Sequence, residues 1–316
     1  MGADYARLID AETWAFIRET GAYYPPDAVD LSIAEQRAVY DRMCRAFHRG
    51  YPDGVTAHDR DAEGVPVRVY SAGRPTRSVV YFHGGGFVVG GRDSHDDICA
   101  DLCAETGYRV ISVDYRLAPE HVHPAAFEDS WTATCWAARV FGDPLVLAGD
   151  SAGGTLAAAV AHHGRGRLNG ILGQVLVYPG LGGDVNAGSF VEHAEAPLLS
   201  RADILFYETV RTGGAPPPQD DPTYLPLQDR DFSNLPPTVL VTADCDPVRD
   251  GARAYRDRIS EAGGQVAWIN EPGLVHGYLR ARRTVARAAA SFERIAIAIE
   301  ALGQGIWPYA EERPAP

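Results

Sequence analysis

Apolar residues near the start of the chain fall at helical spacing. Ile33, Val39, Tyr40, Met43 and Phe47 follow Ser32 and Glu35, a pair with the three-residue offset of a capping box, and predict an amphipathic helix. An earlier helix is expected around Ala11 to Thr20, with Pro25-Pro26 between the two. From about Val55 the texture changes. Val65 to Tyr70 alternates in the manner of a half-buried strand after the turn Asp61-Ala62-Glu63-Gly64. Apolar runs then follow at Ser78 to Phe82, Arg109 to Val113, Pro144 to Ala148, Ile171 to Tyr178, Thr238 to Ala243 and Val266 to Asn270. Helical segments lie between and after them, at Asp93 to Thr106, Pro124 to Val140, Ser151 to His163, Arg249 to Ala262 and Thr284 to Leu302. This alternation predicts an α/β fold with a mainly parallel sheet covered on both faces, its first strands antiparallel. Residues 181–227 break the rhythm: no strand, one helix near Arg201 to Thr212, then Pro216-Pro217-Pro218. They read as an insertion over the sheet.

Composition narrows the chemistry. The net charge of −13 argues against nucleic-acid partners and anionic membrane surfaces. All 29 basic residues are Arg, which excludes Schiff-base lysines, a Walker lysine and Ser-Lys pairs. The five cysteines, Cys44, Cys99, Cys103, Cys135 and Cys245, read as reduced structural thiols. His95, Cys99 and Cys103 could share a helix face but match no zinc spacing, and His121, His123, His162 and His163 read as structural or surface residues. Asp59, Asp61, Glu63 and Gly64 mimic the start of a calcium loop, but Tyr70 at the twelfth position cannot supply its carboxylate. No metal and no cofactor is expected. The segment Met1-Gly2-Ala3-Asp4-Tyr5 lacks a signal-peptide pattern, and no apolar window is long enough for a membrane span, so a cytoplasmic protein without membrane contact is expected.

Three segments carry candidate chemistry. Ser151 stands in Gly149-Asp150-Ser151-Ala152-Gly153 between an apolar strand and a helix-forming run, the setting of a nucleophile elbow. Its glycines relieve a sharp turn, and the helix N-terminus favours developing negative charge. Upstream, His83-Gly84-Gly85-Gly86 follows a strand, and its glycines let backbone amides approach an oxyanion. The amides of Gly84, Gly85 and Ala152 are the expected donors, with His83 bracing the loop. Val89 stands where a dinucleotide fingerprint needs a third glycine. Downstream, His276 lies just past a strand end and is the expected base. The orienting carboxylate stays open among Asp244, Asp246 and Asp250; Asp246, before a proline, is well placed, and Asp250 reads as a structural partner of Arg249.

Together, His83-Gly84-Gly85-Gly86-Phe87, Asp114 to His121, Gly149 to Gly154, Leu235-Pro236-Pro237, Asp246 to Asp250 and His276-Gly277-Tyr278 resemble the hormone-sensitive-lipase family of carboxylesterases. Ile33-Ala34-Glu35-Gln36-Arg37 is similar to the bacterial acetyl esterases within it. Tyr278 and Val248 depart mildly from the family's Phe and Leu. The resemblance implies an α/β-hydrolase fold, a triad of Ser151, Asp246 and His276, and a helical cap. Residues 1–54 are expected to supply the cap's N-terminal helices, 181–227 its insertion, and 55–180 with 228–316 the catalytic domain. The expected activity is hydrolysis of small short-chain esters by a monomer or homodimer. An amidase or deacetylase of the same fold, or a ligand receptor without catalysis, are the alternatives.

Overall fold

The structure, a computed structural model, describes residues 3–25 and 31–309. Met1, Gly2 and Pro26 of the proline pair lie outside these residues. Helices α1 (Tyr5–Leu8), α2 (Ala11–Gly21) and α3 (Ile33–Phe47) come first. α3 begins on the expected capping box: Glu35 N donates to Ser32 Oγ at 3.3 Å, and Ser32 N donates to Glu35 Oε2 at 2.9 Å.

An eight-stranded sheet follows. Strands β1 (Val55–Ala62) and β2 (Val65–Ala72) form an antiparallel hairpin, and β2 pairs antiparallel with β4 (Arg109–Val113). Strands β3 (Ser78–Phe82), β5 (Leu145–Asp150), β6 (Ile171–Val177), β7 (Thr238–Cys245) and β8 (Val266–Val275) complete the sheet in parallel. The spatial order is β1-β2-β4-β3-β5-β6-β7-β8. β3 and β5 are neighbours, yet the chain leaves β3 toward β4 and leaves β5 toward β6, on opposite sides. That reversal opens a crevice at the carboxyl ends of β3 and β5, where open α/β sheets assemble their sites.

Side-chain alternation along the strands builds one core on each face. Val79 and Tyr81 pack with Ile98 and Leu102 of α4 (Asp96–Thr106) and Phe292 and Ile299 of α10 (Ala286–Gly303). Val80 and Phe82 face the opposite way, toward Phe127 and Trp136 of α5 (Ala125–Phe141), Leu156 of α6 (Ala152–Gly164) and Tyr255 of α9 (Arg249–Glu261). Several boundaries differ from expectation, two of them for a reason visible in the pairing. β5 runs on to Asp150, because Asp150 still pairs with Val177. β8 reaches Val275 despite Pro272-Gly273, because a register shift after Ala243 lets Cys245 pair with Val275. Within residues 181–227 lie the short helix α7 (Ser189–Glu192), not foreseen, and α8 (Arg201–Arg211).

A buried ion cluster ties the segment after β8 to α4. Arg282 lies 2.7 Å from both Asp97 Oδ2 and Asp101 Oδ2, and Arg283 adds a hydrogen bond to Asp101. Removing one member leaves buried charge uncompensated, so Arg282→Met is expected to lower unfolding stability by about 3–5 kcal/mol, measured by urea denaturation.

Candidate active site

Ser151 leads directly from β5 into α6 and sits at φ 55°, ψ −122°, a conformation that costs a non-glycine residue strain. Its amide donates to the Val177 carbonyl at 2.9 Å, which holds the turn against β6. The turn presses closely on β3: a Cβ on Gly153 would stand 1.9 Å from the Phe82 carbonyl oxygen, and one on Gly149 would stand 2.4 Å from that of Gly153. Glycine is therefore imposed at both positions by backbone contact.

The Ser151 Oγ lies 2.8 Å from Nε2 of His276, and His276 Nδ1 lies 2.7 Å from Asp246 Oδ2. Asp246 is fully buried, and its Oδ1 accepts from the Val248 amide at 3.0 Å, so neither oxygen is left bare. The other two candidate carboxylates are engaged elsewhere. Asp244 accepts from Asn270 Nδ2 at 2.9 Å, and Asp250 accepts from the Ser189 amide at 3.0 Å and from Arg249 Nε at 3.2 Å. Tyr178, which the sequence did not single out, packs its ring 4.7 Å from that of His276. It ends the expected apolar run Ile171 to Tyr178 and lies one residue beyond the observed β6, and nothing in the sequence marks it for the site.

The glycine loop needs one correction. Gly84 was expected to offer its amide to an oxyanion, but that amide donates to Asp150 Oδ1 at 3.0 Å. Gly85 and Gly86 line the cavity at Ser151, and among the described residues their amides have no hydrogen-bond partner. Gly85 adopts φ +128°, and a Cβ there would stand 2.0 Å from the Val89 carbonyl oxygen. Asp150 itself is a buried hub. Tyr81 donates to it at 2.7 Å, His95 Nε2 lies at 3.3 Å and Tyr178 donates at 3.4 Å. Burial alone would raise its carboxyl, but His95 and the hydrogen bonds outweigh that and hold it well below the usual carboxylate range. His83 is buried beside it, stacked 4.2 Å from the Tyr115 ring, with Nδ1 donating to the Gly84 carbonyl at 2.8 Å.

Two cavities meet at Ser151 and His276. The larger, about 420 Å³, is walled by Phe16 from α2, Tyr40 and Met43 from α3, Tyr207 from α8, and Arg280. The smaller, about 160 Å³, is walled by Phe87, Phe190, Ile204, Arg211, Tyr224 and Val248. Arg37 fastens α3 to the adjoining loops: its guanidinium donates to Glu120 at 2.9 and 2.7 Å, to the Ala118 carbonyl at 2.8 Å and to the Val88 carbonyl at 2.8 Å. No helix among the described residues is long and apolar enough to cross a membrane.

Sheet order, strand-end site and elbow turn together define an α/β hydrolase. Residues 79–280 match the alpha/beta hydrolase fold family, well over half of the chain. Carboxylesterase NlhH of Mycobacterium tuberculosis is 37% identical over 297 residues, covering 89% of this chain and 83% of that protein. An ethyl acetate hydrolase of Pseudomonas putida is 30% identical over 322 residues, covering 96% and 97%. The crystal structure of a hyperthermophilic esterase from the archaeon Pyrobaculum calidifontis superposes with a TM-score of 0.81 at 30% identity, covering 93% of this chain and 99% of that one. The chain belongs to the hormone-sensitive-lipase type of α/β hydrolases, and it is a carboxylesterase.

The buried histidine beside Asp150 makes the stability of the fold depend on pH. Burial first, and then neighbouring His95, pushes the His83 imidazole down from 6.5 to about 3. Between those values the unfolded chain binds a proton that the native state refuses, so stability falls as pH drops through that window. His83→Asn is expected to flatten the decline between about pH 6 and pH 4 by up to roughly 1.4 kcal/mol per pH unit, read from urea melts at each pH.

Proposed function

We propose that the chain hydrolyses short-chain carboxylic esters through a covalent acyl-enzyme on Ser151. The observation that carries this reading is the unbroken hydrogen-bonded chain from Ser151 Oγ through His276 to buried Asp246. His276 takes the hydroxyl proton as Oγ attacks the ester carbonyl carbon, and Asp246 holds the tautomer that leaves Nε2 free to accept it. The tetrahedral oxyanion rests on the amides of Gly85, Gly86 and Ala152, the last at the start of α6, whose dipole adds to the stabilisation. His276 passes the proton to the departing alcohol, and the acyl-enzyme is cleared by water along the same route.

The division of the chain supports a preference for small substrates. In this reading the described parts of residues 1–54 and 181–227 act as a cap over a catalytic domain built from the described parts of 55–180 and 228–316. α2, α3 and α8 supply walls to the larger cavity. The smaller cavity, at about 160 Å³, falls below the roughly 300–1,000 Å³ of pockets for drug-sized ligands. One side of the scissile ester therefore has room for a short group only.

Ser151→Ala is expected to abolish ester turnover and fluorophosphonate labelling while the fold survives by circular dichroism. Asp246→Asn keeps the shape but favours the wrong histidine tautomer, and a fall in kcat of about 10⁴-fold is expected. Across p-nitrophenyl esters from acetate to palmitate, kcat/KM is expected to peak at short acyl chains. A peak at palmitate would overturn the assignment of the cavities.

A further inference from the structure

Arg211, the last residue of α8, is only 5% exposed. Its guanidinium carbon lies 3.6 Å from the centre of the Phe87 ring and 4.2 Å from that of Tyr224. All three residues wall the smaller cavity, which reaches Ser151 and His276. Among the described residues the guanidinium has no hydrogen-bond acceptor and no carboxylate within 4.0 Å. The contrast with the other arginines nearby in the fold is sharp: buried Arg282 holds two carboxylates, and half-buried Arg280 donates to the Ser94 carbonyl at 2.8 Å and to Tyr40 Oη at 2.7 Å. The acidic groups nearest in the fold are occupied. Glu208 accepts from Tyr224 Oη at 3.4 Å, and Asp221 pairs with His123 Nε2 at 3.0 Å.

A guanidinium carries five N–H donors, and leaving them unanswered in a dry site is costly. Burial lowers Arg211 to about 10, partly offset by Tyr224, Tyr115 and Asp221, so it stays charged at neutral pH. The two rings supply attraction for the cation but no acceptor for its donors. A carboxylate entering the cavity would meet a planar, bidentate donor on a side chain that is otherwise almost wholly buried. Phe190, Ile204 and Val248 give the cavity an apolar wall that strengthens the contact, and Glu208 is a carboxylate that lines the same cavity.

We propose that Arg211 recognises an anionic group, a carboxylate carried on the part of the ester that enters the smaller cavity. The preferred substrate is then a half-ester of a dicarboxylic acid or an acylated hydroxy acid, according to which side of the scissile bond lies there. The inference rests on Ser151 acting on esters.

The test uses isosteric pairs. Monoethyl succinate against ethyl isocaproate places the charge on the acyl side, and acetoxyacetate against isobutyl acetate places it on the alcohol side. In one pair the charged ester is expected to have a kcat/KM about 10- to 100-fold higher than its neutral isostere. Arg211→Met is expected to erase the preference for the charged ester over its neutral isostere, and Arg211→Lys to retain part of it. Absence of preference in both pairs, or an equal loss on charged and neutral esters in Arg211→Met, overturns the proposal. If the wild type turns over none of the four esters, the esterase reading is what has failed. Arg211 is then judged by calorimetric titration of the protein with monoethyl succinate and acetoxyacetate. Binding at least tenfold tighter to the wild type than to the Arg211→Met variant supports the proposal, and anything weaker ends it.

Discussion

Asp150 holds the two halves of the site together. It ends β5, next to Ser151, and its buried carboxylate draws in the Gly84 amide from the loop after β3, along with Tyr81, His95 and Tyr178. These partners answer the desolvation that would otherwise make the charge intolerable at this depth. By taking the Gly84 amide, Asp150 sets the orientation of the glycine loop, which turns Gly85 and Gly86 toward Ser151. The same clamp presses the elbow against β3, where only glycine at Gly149 and Gly153 avoids the opposing carbonyls. The strain at Ser151 is thus held by surrounding contacts and not by the residue itself.

The cation side of the balance is unusual because the chain has no lysine. Arginine does every cationic task, and its planar fork suits buried positions. Arg37 joins α3 to the loops beneath it, and Arg282 anchors the segment beyond His276 to α4. Arg280 and Arg211 stand one in each cavity, the first bound to protein acceptors and the second packed on the rings of Phe87 and Tyr224. That difference separates a structural arginine from one whose donors face a ligand space.

Much of the fold was legible because strands buried on both faces leave continuous apolar runs and helices leave a three-to-four-residue period. The run Ser78 to Phe82 matches its strand at both ends, as does Arg109 to Val113. β8 was cut short at Asn270, since Pro272-Gly273 reads as a break unless the pairing partner's register shift is known. α7 was invisible because four residues are too few for a period to register. In the site, Ser151, His276 and the glycine loop stood out as residue types at strand ends, whereas the carboxylate could be chosen only by resemblance until the contact from Asp246 to His276 was seen.

The local code thus specified which segments become strands, which turn carries a serine under strain and which loop is rich enough in glycine to expose its amides. Each depends on neighbours within a few residues. The assignment of Gly84 to Asp150, the packing of Tyr178 on His276 and the isolation of Arg211 between Phe87 and Tyr224 depend on residues far apart in sequence. Whether a buried polar group finds a partner is decided by long-range packing, which no short pattern encodes, and only the tertiary structure could decide it.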